Sequence, residues 1–242
     1  MEIFGRIVLK SDPRPPVTDK KPFWDVDEIN GFVDVRAKDN LVYKVWNKGN
    51  VKEVADKLAD VRKAINCLLI YLLQNPEKWI HHKIAQGIIL TFDIHIPCWR
   101  DNYQKLRYMK NCKEINNLLN TTCSQMGKLF EYQEMTPNDQ GILGLNKPKE
   151  TEFVPVTLHP GKTINYEIAK KRKILLKLRN QKDWKMCSET TIMDLAIHEL
   201  THTTCNDVRW VDEKHGGNHR KPYQCWHTMM RKWGREIGIN LS

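Results

Sequence analysis

The segment His198-Glu199-Leu200-Thr201-His202 carries residue types whose spacing suits metal binding and the activation of water. Histidines four positions apart lie one turn apart on the same face of an α-helix, so both imidazoles can reach one ion. Zinc suits neutral imidazole, and a site with three protein ligands keeps a fourth position for water. Because the metal lowers the pKa of that water, Glu199 can accept its proton. We therefore predict a catalytic zinc site in which His198 and His202 are ligands and Glu199 is the general base.

A third ligand is expected downstream of His202, and His219 is the residue we favour. Gly216 and Gly217 come shortly before it and allow the chain to fold back towards the metal. After it, large apolar residues recur at helical spacing, which predicts a helix that holds His219 against the core. These apolar residues are Tyr223, Trp226, Met230, Trp233 and Ile237. The other candidates for the third ligand are Cys205, Asp207, His215 and His227.

The residues upstream of the motif predict the elements that position it. Residues 174–179 alternate with the period of a strand that has one buried face, and residues 180–185 are polar and turn-like. Residues 188–191 supply hydroxyl groups that can cap a helix. The apolar stripe that begins at Ile192 then predicts that the motif lies on a helix. Residues 141–145 are short, apolar and flanked by glycine, which predicts another strand.

The N-terminal half contains simpler patterns. Residues 11–22 are polar and rich in proline, which is typical of an arm or linker. Residues 32–35 and 41–46 are β-rich runs on either side of turn-forming residues, which predicts a strand pair. Residues 51–74 show the clearest helical period, and residues 101–120 predict a second helix.

Four features together resemble the WLM family of metalloproteases and, more distantly, the SprT-like proteases. They are Gly144-Leu145-Asn146, the strand at 174–179, the H-E-L-T-H motif, and Tyr223 four positions after His219. The resemblance spans residues 125–239. It implies a zincin-like fold and a zinc-dependent peptidase, with Glu199 as general base and with three zinc ligands, His198, His202 and His219. Members of the family are associated with proteolysis of proteins crosslinked to DNA, so DNA-associated substrates are expected.

The chain departs from the family pattern in two places. It carries an insertion-like stretch between Asn146 and Lys173, and it has 16 residues between His202 and His219, where a shorter gap is expected. We expect an α+β fold with an active-site helix packed on a small mixed sheet, in a zincin-like metallopeptidase domain at 124–242. An N-terminal arm with a strand pair at 1–50 and a mainly helical region at 51–123 are expected to precede it.

The chain is basic, with 39 Lys and Arg against 29 Asp and Glu and a net charge of +10. This balance favours anionic partners such as nucleic acid or an acidic polypeptide. Many of the cations lie just before the motif. The residues predicted to contact DNA are Lys170, Lys171, Arg172, Lys173, Lys177 and Arg179. The alternative is that these residues form an ordinary solvated strand face.

Membrane insertion and export are not expected. The longest apolar run, at 67–73, is far shorter than the ~20 residues of a membrane span, and the first ten residues lack an apolar signal core. The seven cysteines form no C-x-x-C pair, which favours free thiols in a reducing compartment. We therefore expect a soluble intracellular protein, cytoplasmic or nuclear, that acts on a protein or peptide substrate.

Zinc-dependent hydrolysis of peptide bonds is the function that these patterns favour. One alternative is a zinc-stabilised nucleic-acid-binding module without peptidase activity, in which four protein ligands hold the ion. Another is a non-catalytic structural protein that keeps the helix pattern but binds no metal.

Overall fold

The computed structural model describes residues 7–8, 31–81, 100, 129–135, 143–159, 162–180, 182–205 and 221–242. Its strands are β1 (Ile7–Val8), β2 (Phe32–Arg36), β3 (Val42–Trp46), β4 (Phe130–Glu134), β5 (Gly144–His159) and β6 (Lys162–Leu176). Its α-helices are α1 (Val51–Gln74), α2 (Glu189–Cys205) and α3 (Lys221–Glu236). The described part is therefore α+β, which confirms the predicted fold class at that level.

Helix α1 forms where the helical period predicted it. The side chain of Asn50 caps its start by accepting a hydrogen bond from the backbone N–H of Glu53, at 3.2 Å. Its apolar stripe is buried, and Asn75 followed by Pro76 ends it. Because proline disfavours the helical conformation in the residue before it, this sequence stops the helix.

Strands β2 and β3 confirm the predicted strand pair. They run antiparallel, with Phe32 opposite Trp46 and Arg36 opposite Val42. Asn40 in the connecting turn has a φ of 63°, a left-handed conformation that asparagine tolerates better than most residues.

The strands form one mixed sheet in the order β1-β6-β4-β3-β2, with β5 paired to β6. Strand β5 begins at Gly144 and runs to His159, so the predicted strand at 141–145 is wrong in extent. Strand β6 begins at Lys162 and ends at Leu176, so the prediction at 174–179 captured only its end. The insertion-like stretch forms most of the antiparallel β5–β6 hairpin, so it belongs to the sheet.

The helices pack against one face of this sheet. Tyr132 on β4 and Ile174 on β6 are register partners, and both are buried. They share one hydrophobic cluster with Leu68 of α1, Ala196 of α2 and Trp226 of α3. Helix α1 therefore contributes to the same core as the helix that carries the motif. The predicted boundaries between the three domains stay a prediction.

Arg179 lies in the interior, so its predicted contact with DNA is wrong. Only 4% of it is exposed, and its guanidinium donates to both carboxylate oxygens of Glu134, each at 2.7 Å. It also donates to the backbone carbonyl oxygens of Trp46 and Lys48. Because a buried cation needs such partners, Arg179 joins the end of β3 to Glu134 at the end of β4 instead of facing a ligand.

Arg172 is also buried, with 9% of its surface exposed, and its Nη1 donates to Asn146 Oδ1 at 3.1 Å. It therefore does not belong to an outward-facing DNA surface. Lys171 is exposed, and Lys173 and Lys177 are half-buried. Lys171 and Lys173 belong to β6, which lies between β5 and β4, whereas Lys177 directly follows that strand.

Three further predictions concern a second helix, the cysteines and membrane insertion. The predicted helix at 101–120 lies outside the described residues. Cys67, Cys187 and Cys225 are free thiols, as predicted for these three. Across the ranges given above, none of the helices combines the length and the apolar character needed to span a membrane.

Candidate metal centre

Helix α2 carries the H-E-x-x-H motif, as the apolar stripe predicted. Ser188 precedes the helix, and its Oγ accepts a hydrogen bond from the backbone N–H of Thr191 at 3.2 Å, which confirms the capping hydroxyl. Ile192, Ala196 and Leu200 are buried in the core and fix the rotation of the helix about its axis. The motif residues therefore project from a helix whose orientation is set by packing.

His198, Glu199 and His202 bring three potential ligand atoms together. One nitrogen from each imidazole and one oxygen of the carboxylate all lie within 4.8 Å of one another. The two imidazole rings have centroids 5.2 Å apart and an angle of 72° between their planes. Both histidines are half-buried, whereas Glu199 is 3% exposed. The helical spacing thus gives the convergence that the sequence predicted.

The carboxylate of Glu199 lies in a space that only a glycine leaves open. A Cβ atom added to Gly144, at the start of β5, would lie 2.6 Å from Glu199 Oε1 and 3.0 Å from its Cδ and Cγ. Atoms that close would have to move apart, so Gly144 lets the strand approach the carboxylate directly. Burial of this carboxyl raises its pKa to about 8, because the charged form loses its hydration.

Asn146 lies two residues further along β5, where side chains point to the same face of a strand as at Gly144. Its Nδ2 donates to the backbone carbonyl oxygen of Glu199 and to Thr203 Oγ1, the second at 2.9 Å. The edge of the sheet is therefore bonded directly to the turn of helix α2 that carries the motif.

Tyr223 on helix α3 contacts the site from the other side. It is 2% exposed, and its hydroxyl donates to the backbone carbonyl oxygen of His198 at 3.0 Å. Its ring centroid is 5.3 Å from that of His198 and 4.7 Å from that of His202. Aromatic contacts of this kind restrict ring rotation, so Tyr223 limits the orientations open to both imidazoles.

His227 lies one turn after Tyr223 on α3, and its ring centroid is 5.6 Å from that of His198. Within the ranges that the structure covers, it is not part of the group whose ligand atoms converge. Asp207, His215 and His219 lie outside the described residues, and the side chain of Cys205 does so too. His219 therefore stays a prediction.

The sequence argument placed Gly144 in a predicted strand and Tyr223 in the apolar stripe of the last helix, and it named Asn146 only as part of a resemblance. It predicted none of their contacts with the motif. The sequence does carry a signal for Gly144 and Asn146, since a glycine and an asparagine two positions apart on a strand share one face. What it lacks is any indication that this face meets the turn at Glu199, because 53 positions separate Asn146 from that residue.

The donors at the site have the chemistry that zinc accepts. Two imidazoles and a carboxylate are common zinc ligands, and neutral imidazole also suits other transition metals. The helical pair supplies two donors on one side, which leaves the rest of the coordination sphere for another residue and for water. No protein-family model matches the chain, and neither a curated protein nor a solved structure matches it.

Proposed function

We propose that the protein is a zinc-dependent metallopeptidase with a zincin-like fold, as the resemblance to WLM metalloproteases implies. The observation that carries the proposal is the convergence of His198, Glu199 and His202 on one helical turn, with ligand atoms within 4.8 Å of one another. In this proposal His198 and His202 hold the ion and His219 supplies the third ligand. When bound, zinc acidifies a water molecule and polarises the carbonyl group of the substrate.

The chain's own residues divide the remaining work. A carboxylate oxygen of Glu199 accepts the proton of the attacking water and returns it to the nitrogen of the leaving amine. In the metal-free protein, burial raises the pKa of this carboxyl to about 8, so its surroundings favour the bound proton. Gly144 keeps the space in front of that carboxylate open.

A single substitution tests the proposal. Glu199→Gln keeps the size of the side chain but cannot accept the proton, so it should keep zinc and lose at least about 100-fold in kcat. The assay is cleavage of an unfolded protein substrate, with zinc content measured on the same samples. Glu189→Gln is the matched control, since Glu189 lies in the first turn of the same helix and is exposed. If Glu199→Gln cleaved as fast as the parent, Glu199 would not be the base.

We also propose DNA-associated proteins as the substrate class, on the strength of the resemblance and of the net charge of +10. The same charge favours the second candidate function, a zinc-stabilised nucleic-acid-binding module without peptidase activity. The two functions differ in one measurable respect. A peptidase loses cleavage in the Glu199→Gln variant, whereas a binding module holds zinc through four protein ligands and cleaves nothing in either form.

A further inference from the structure

One side-chain amide spans the helical turn that contains the metal-site residues. Asn146 Nδ2 donates to the backbone carbonyl oxygen of Glu199 and to Thr203 Oγ1. Thr203 is buried and directly follows His202. The two acceptors therefore lie at the two ends of the segment that contains Glu199 and His202.

This turn lies at the C-terminal end of helix α2. The last four carbonyl groups of a helix have no partner within it, so a helix end tends to fray. Helix α2 ends at Cys205, and His202 belongs to its last turn. Fraying there would move His202 away from His198. Asn146 opposes such movement because it is fixed in a strand of the sheet.

Arg172 determines which way the amide of Asn146 points. Its Nη1 donates to Asn146 Oδ1 at 3.1 Å, so the oxygen faces the arginine and the NH₂ group must face the helix. Arg172 lies on β6, is 9% exposed and is the register partner of Pro148 on β5, so its own position is fixed by the sheet. The bonds thus run from β6 through Asn146 on β5 to the end of helix α2.

We infer that Asn146 is a positioning residue for the metal centre, holding Glu199 and His202 in register while Arg172 orients its amide. The inference rests on the proposed function, since it assigns the amide a purpose in holding zinc and in cleavage. Replacing a residue that orients a metal ligand through a hydrogen bond typically lowers metal affinity or activity about 10-fold to 100-fold.

Asn146→Asp tests the inference with little change in shape. The new carboxylate still accepts from Arg172, but it offers an acceptor where the carbonyl oxygen of Glu199 requires a donor. Zinc affinity, measured by competition with a chromogenic chelator, should fall about 10-fold or more. In cleavage of an unfolded protein, kcat should fall by a similar factor while KM stays nearly constant. Amide hydrogen exchange should accelerate at the end of helix α2 in the metal-free protein.

Two further variants keep the test decisive. Arg172→Lys leaves helix α2 and Asn146 intact but removes the guanidinium that orients the amide, so it should weaken zinc binding in the same direction and to a smaller extent. Asn180→Asp is the matched control, because Asn180 is exposed and its Oδ1 accepts a local hydrogen bond from the backbone N–H of Lys182. It should leave zinc affinity and kcat unchanged.

The outcomes separate this inference from the proposed function. If Asn146→Asp lowered only the melting temperature and kept the parent's zinc affinity and kcat, the residue would be merely structural and the inference would be overturned. If the parent bound zinc but cleaved nothing, the proposed peptidase would fail, while a loss of zinc affinity in Asn146→Asp would still support the positioning role. If the parent bound no zinc, both would be overturned.

Discussion

Adding one methyl group at Gly144 should damage catalysis without removing the metal. In Gly144→Ala the new Cβ would lie 2.6 Å from Glu199 Oε1, whereas ordinary contacts begin at 3.4 Å. The carboxylate or the strand must therefore move by the difference, about 0.8 Å. Glu199 is 3% exposed, and the added Cβ would also lie 3.0 Å from its Cδ and Cγ, so the whole end of the side chain would have to shift.

The size of the effect follows from that displacement. A misplacement of about 1 Å at a reacting group can cost about 100-fold in rate, so we expect kcat to fall between about 10-fold and 100-fold. This range corresponds to about 1.4 to 2.7 kcal/mol of lost transition-state stabilisation. Overpacking should also lower the free energy of unfolding by about 1 to 3 kcal/mol. Zinc content should stay that of the parent, since the added Cβ meets Glu199 and not the two histidines.

The assay compares kcat, zinc content and the free energy of unfolding in three proteins. Gly238→Ala is the control, because Gly238 has a φ of 86° and open space around it. Its replacement strains the backbone and should reduce stability, but it should leave kcat unchanged. A folded Gly144→Ala protein that held zinc and cleaved at the parent's rate would refute the placement of Glu199 against β5.

Three other predictions concern Tyr223, the buried Glu134–Arg179 pair and the titration of Glu199. Tyr223→Phe removes the hydrogen bond to the carbonyl oxygen of His198 but keeps the ring. The free energy of unfolding, measured in urea, should therefore fall by about 1 kcal/mol, and the variant should still bind zinc. Glu134→Ala leaves Arg179 as an unpaired buried cation and should cost about 3 to 5 kcal/mol in the same assay, and a loss below 1 kcal/mol would contradict the burial of this pair. Because burial raises the pKa of Glu199 from its usual 4.5 to about 8, the stabilisation by its bound proton is complete below pH 4.5 and is lost as the pH rises through 8. The free energy of unfolding of the metal-free parent should therefore decline across this window, and Glu199→Gln should remove that part of the decline.

Local periodicity was enough to predict α1, the helix that carries the motif, and the β2–β3 hairpin. Apolar residues recur every three or four positions in 51–74, and β-forming residues cluster in 32–35 and 41–46. Both patterns involve only residues close in sequence, and the structure has α1, β2 and β3 in these segments. The capping hydroxyl of Ser188 is also a local feature. Such patterns report which face of an element is buried, so they predict elements well.

The extent of the β5–β6 hairpin depended on pairing that no local pattern reveals. Pro148 and Pro155 on β5 argue against a long strand, since proline lacks the amide donor of a sheet. The register of β5 against β6 shifts between Pro148 and Glu150, which accommodates the first proline. Among the described strands β5 pairs with β6 alone, so its other edge needs no amide donors.

Polar contacts between residues far apart in the chain also could not be predicted from the sequence. Arg179 alternates with apolar residues and was expected at the surface, but it is buried because Glu134, 45 positions away, supplies a carboxylate. In the same way, the roles of Gly144 and Asn146 exist only because their strand meets the turn at Glu199. The H-E-x-x-H pair was predictable because its geometry is set within one helix.

Zinc content per chain is the measurement that tests the central claim most directly. Protein purified without added chelator and dialysed against metal-free buffer should hold about one zinc ion per chain, and Glu199→Gln should hold the same amount, since three protein ligands complete a catalytic zinc site. His198→Ala, His202→Ala and His219→Ala should each lose the ion. A parent that retains no zinc when supplied with it, or a His198→Ala variant that binds it as tightly as the parent, would contradict the account.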